Sequence, residues 1–86
     1  MKKSTDYSNH DRFVDLGLII AALRKSQGLS QEKFAEKADI ARSTLSAIEA
    51  ANNSRAFSVD TLFKIADALG ISAGDLLNYS LPASNL

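Results

Sequence analysis

The stretch LSQEKFAEKADIARSTLSAIE, Leu29 to Glu49, constrains this chain more than any other part of it. It holds two short helical patterns separated by only a few residues. In the first, Phe34, Ala35 and Ala38 form an inner face with Leu29 just outside it, Ser30 is placed to cap, and Glu32 falls in the first turn. ADIA, Ala38 to Ala41, breaks the pattern, and Asp39 is among the few non-glycine types that tolerate positive φ at a sharp turn. In the second, Leu45 and Ile48 point inward while Arg42, Ser43, Ser46 and Ala47 point outward. Helices of two to three turns are marginal in water. Both must therefore be held by packing on other helices.

The flanking sequence supplies those helices. Residues 1–8 are polar and unpatterned and read as an N-terminal arm. Phe13, Leu16, Ile20 and Leu23 follow at helical spacing up to Gln27, with Asn9 or Ser8 as cap, Asp11 in the first turn and Gly28 as stop. Ala50 to Ser58 reads as a polar loop. Ser58 caps a fourth helix carrying Leu62, Ile65, Ala66 and Leu69, which Gly70 ends. SAGD, Ser72 to Asp75, has the form of a capping box ahead of a short helix with Leu76, Leu77 and Tyr79. No stretch alternates with period two, so the expectation is all-α: one five-helix domain over residues 9–79 and a tail over 80–86.

Composition narrows the function. The longest apolar run, LGLIIAAL, is far short of the ~20 residues of a membrane span. The opening MKKSTDYSNHD is not a secretory signal, and there is no cysteine, so a soluble cytoplasmic protein is expected. His10 is the only histidine and has no clustered ligands, no glycine-rich loop follows a strand, and no serine has an apparent base. No metal, no cofactor and no enzyme activity are expected. Ten Lys and Arg balance ten Asp and Glu, so attraction to nucleic acid cannot come from bulk charge and must come from a few placed cations.

Two short helices at a fixed angle, braced from behind, make a helix-turn-helix, whose second helix suits the DNA major groove while the first crosses the backbone. LRKSQGLSQEKFAEKADIARSTLSAIE followed by SVDTLFKIADALGISAGDLL resembles the Cro/cI phage-repressor type of helix-turn-helix domain, the XRE family, over roughly residues 12–79. The resemblance implies a compact five-helix, lambda-repressor-like domain that binds double-stranded DNA as a homodimer. It puts a phosphate contact and a brace for the reading helix at Gln31. Base-reading positions fall on Arg42, Ser43 and Thr44, with Ser46 and Ala47 a turn further on. A structural ion pair falls on Arg24 and Glu49. The family's turn glycine is replaced by Asp39, and its Arg-Gly after the reading helix by Ala50 and Ala51. Asn52, Asn53 and Arg55 could replace the phosphate contacts of that loop.

Each assignment has a plainer alternative. Arg42 either contacts guanine O6 and N7 or is a solvated or phosphate-bound arginine. Ser43 and Thr44 suit either base contacts or capping of their helix. Lys33 and Lys37 read as solvating their helix, and Lys2 and Lys3 as part of a solvated arm. Apolar Ile71, Leu77, Tyr79 and Leu81 either form a dimer surface or complete the core. The reading is a DNA-binding transcriptional regulator, a repressor on an inverted-repeat operator. The alternatives are an antitoxin with a toxin partner, a restriction–modification controller, or a helix-turn-helix used only for protein interaction.

Overall fold

A computed structural model of the chain describes residues 9–50 and 56–80. They form five helices: α1 (Asn9–Ser26), α2 (Gln31–Ala38), α3 (Arg42–Glu49), α4 (Val59–Leu69) and α5 (Ala73–Ser80). The readings that fall on the arm, on Asn52, Asn53 and Arg55, and on Leu81 lie outside the described residues. The fifth helix takes in Ser80, one residue beyond the expected domain end.

Local chemistry accounts for the helix ends. Ser30, Ser58 and Ser72 each accept the backbone N–H of the residue three positions on, Lys33, Thr61 and Asp75, at 3.0–3.1 Å. Three C-termini share one solution, in which a left-handed residue is followed by an apolar one. At Gly28–Leu29, Asp39–Ile40 and Gly70–Ile71 the two successive N–H groups turn back onto the last helical carbonyls, and the apolar residue packs on the core. Asp39 is the non-glycine case, with φ 60°. Its carbonyl and carboxylate lie 3.4 and 3.8 Å from Lys64 Nζ on α4. The turn that the family makes with glycine is thus made here with a residue that anchors to a neighbouring helix.

α1 packs against α3, α4 and α5, while α2 packs against α3 and α4. Ile20, Phe34, Leu45, Ile48, Ile65 and Leu76 are fully buried where these helices converge, and all five contribute to that centre. Burying each such side chain stabilises the fold by roughly 1.5–3 kcal/mol. Gln27 adds a polar tie, its Nε2 donating to the Leu69 carbonyl at 2.8 Å and joining the end of α1 to the end of α4. The two short helices are carried on a scaffold built from the flanking helices α1, α4 and α5.

Candidate nucleic-acid interface

Glu49, the last residue of α3, organises the site. Its Oε2 accepts Arg24 Nε at 2.8 Å, and its Oε1 accepts Arg24 Nη2 at 2.8 Å and Gln31 Nε2 at 2.9 Å. Arg24 Nη1 donates to the Leu29 carbonyl at 2.7 Å. The pair is buried, with side chains 8% and 4% exposed. Bidentate geometry and the added donor answer the desolvation that makes most buried pairs costly. Hydrogen bonding to Glu49 holds the Arg24 guanidinium above its ordinary pKa and outweighs the opposing effect of burial. One carboxylate therefore ties α1, α2 and the end of α3 together, and the expected Arg24–Glu49 pair is present.

The same network removes the only carboxylate of α3 from its outer surface. Arg42, Ser43, Thr44 and Ser46 are exposed and Ala47 is half-buried, whereas Leu45 and Ile48 face the core. The N-cap of α3 is Ala41, which has no side-chain acceptor. Ser43 and Thr44 are therefore not used as caps, and among the described residues their hydroxyls have no hydrogen-bond partner. Arg42 likewise has no ion-pair partner among them and lines a cleft with Ser30, Gln31 and Glu32 at the start of α2. Gln31 sits in this cleft with one amide N–H committed to Glu49. Its second N–H and its carbonyl oxygen are additional hydrogen-bonding groups, beside the exposed N-terminus of α2, where backbone N–H groups favour an anion.

The bracing bond from Gln31 to Glu49 follows the family pattern, but its acceptor could not be read from the sequence. Ala56 and Phe57 were not singled out either. They line a second cleft beside α3 with Ser43, Thr44 and Ala47. The signal available was the lone aromatic ahead of Ser58, and Phe57 meets Phe13 edge to face, with centroids 5.3 Å apart and planes at 71°. Lys33 and Lys37 are exposed on α2.

The helix-turn-helix family model matches residues 20–76, which spans all of α2, α3 and α4. The chain belongs to the Cro/cI-type helix-turn-helix family. Among solved structures it is similar to the restriction-modification controller protein C.AhdI from Aeromonas hydrophila, at 33% identity and TM-score 0.68, covering 74% of this chain and 94% of that one. A SinR protein/SinI protein complex contains a similar chain, at 35% identity and TM-score 0.67, covering 79% of this chain and 68% of that one. No curated protein matches. Membership makes this Cro/cI-type protein a DNA-binding transcriptional regulator of a family that is not enzymatic. Among the described residues, no helix is long and apolar enough to cross a membrane.

Proposed function

We propose that the chain is a cytoplasmic repressor that binds an inverted-repeat operator as a homodimer, inserting α3 into successive major grooves. The observation that carries this reading is the outer face of α3, which presents one guanidinium and three hydroxyls while its only carboxylate is turned inward. Arg42 reads guanine through O6 and N7. Ser43, Thr44 and Ser46 exchange short hydrogen bonds with neighbouring base edges, and Ala47 offers a methyl to thymine. Gln31 donates its second N–H to a phosphate at the α2 N-terminus. Asn52, Asn53 and Arg55 supply phosphate contacts after α3. Repression follows from occupying promoter DNA.

The likeness to a restriction–modification controller supports a second reading, in which the chain regulates the genes of such a system. The DNA chemistry is the same in both readings, and the genes beside this one distinguish them.

Selection of bound duplexes from a random pool, at low and moderate salt, tests the proposal. The expected product is a palindromic site with half-sites ~34 Å apart, one turn of duplex. Arg42→Ala is expected to lose about 1–3 kcal/mol on that site and to relax one base position. An equal loss on every sequence would move Arg42 to the backbone. Enrichment of nothing at either salt would sink the DNA reading in favour of a protein-interaction module.

A further inference from the structure

The cleft beside α3 is a site that the helix-turn-helix does not complete by itself. Ser43, Thr44, Ala47 and Ile48 form one wall, and Ala56 and Phe57, from the segment leading into α4, form the other. It exists because α3 packs chiefly on α1 and α2, which leaves its side toward that segment open. Ile48 is buried, whereas Ala47 and Phe57 are half-buried and Ser43, Thr44 and Ala56 are exposed. The cleft therefore opens on the outer face of α3 and not into the core. Phe57 is anchored by its edge-to-face contact with Phe13 of α1, so the second wall is in place before any ligand arrives.

We infer, on the proposed DNA reading, that this cleft holds the C5-methyl group of a thymine, and that Ala56 and Phe57 act with α3 in choosing that base. The chemistry of the walls selects this occupant. None of the described residues lining the cleft carries a charge, so nothing among them neutralises a phosphate. Its apolar groups are the Ala47 and Ala56 methyls, the Thr44 methyl and the Phe57 ring. Alanine, the threonine methyl and phenylalanine are the partners that a thymine methyl takes in the major groove. Of the four bases only thymine carries a methyl there.

The polar groups of the cleft agree with that choice. Thymine presents O4, an acceptor, beside its methyl, and the Ser43 and Thr44 hydroxyls can donate to it. They would serve the amino group of cytosine as readily, so the methyl makes the distinction. Ala47 stands one turn along α3 from Ser43 and Thr44. A base edge that meets those hydroxyls therefore also reaches Ala47 and the wall opposite.

The test uses the full chain and the duplex that selection from a random pool yields. Each thymine of one half-site is replaced in turn by uracil, which keeps O4 and lacks only the methyl. At one position the replacement is expected to weaken binding roughly fourfold, the worth of burying one methyl-sized group. Phe57→Ala should bind the thymine and uracil duplexes alike, and Phe57→Leu should keep the preference. Coupling of this kind between one side chain and one methyl reports a contact, which a general loss of stability does not produce. If Phe57→Ala fails to fold, Ala47→Ser, which sets a hydroxyl against the methyl, should shrink the preference in the same way.

A pool in which every cytosine carries a C5-methyl distinguishes the two sources of that group. Thymine should still be selected at the sensitive position, and methylated cytosine in its place would overturn the assignment. Indifference to uracil at every position would also overturn it, as would a preference that both Phe57→Ala and Ala47→Ser leave intact. In those cases a selected sequence still upholds the DNA reading. A pool that enriches no sequence would instead sink that reading and the thymine site with it.

Discussion

At the scale of single residues, Glu49 determines how the site is held. Its two oxygens take three hydrogen bonds from Arg24 and Gln31, so losing one partner leaves charge buried without compensation. Arg24→Ala is expected to cost about 3 kcal/mol or more in denaturant unfolding. If melting is unchanged while DNA binding is lost, Arg24 belongs to the DNA contact and not to the fold. The pair was legible only through the family resemblance, which implies an arginine late in α1 paired with the glutamate that ends α3. The brace from Gln31 was implied in the same way but its acceptor was not, because the rotamer that carries its amide to Glu49 is set by how α2 packs on α3. Gln27 was illegible for a similar reason. Its acceptor, the Leu69 carbonyl, lies 42 residues along the chain, and no local pattern encodes such a meeting. Asp39 shows the reverse case, since its left-handed φ is a local property that the residue type announces.

At the scale of the helix, ends were legible and roles were not. Serine caps and left-handed stops act within four residues, so sequence placed the starts of α2, α4 and α5 and the three stops that the structure has. The position of α1 was harder to foresee. It reads as having one inward face, yet it packs against α3, α4 and α5 and stands behind the reading helix. That Val59 and Phe63 on α4 are exposed escaped notice, because an exposed apolar pair on an amphipathic helix looks like its buried face until the packing partners are known. The caps also carry a consequence for binding. Ser30 fixes the first turn of α2, which presents Gln31, so Ser30→Ala should lower stability by about 1 kcal/mol. It should also weaken DNA binding in a band-shift assay under conditions where the variant is fully folded. Unchanged affinity there would mean that the α2 N-terminus does not touch the duplex.

At the scale of the whole molecule, the balance of charge sets the terms of binding. A chain with net charge +0 has no long-range field to gather DNA, so discrimination depends on close contacts. Affinity is expected to fall with salt at a slope of about −0.9 for each phosphate neutralised. Arg55→Ala should reduce that slope by about 1 per reading copy if the segment after α3 reaches the backbone. An unaltered slope would remove Arg55 from the interface. The clamp at Glu49 bears on the same measurement through entropy. The end of α3 is tied to two other helices before any DNA is present, so the proposed reading face should lose little conformational freedom on docking. Such a surface has one shape to offer. On the proposed reading, it should select duplexes that already match that shape and gain little by adjusting to those that do not.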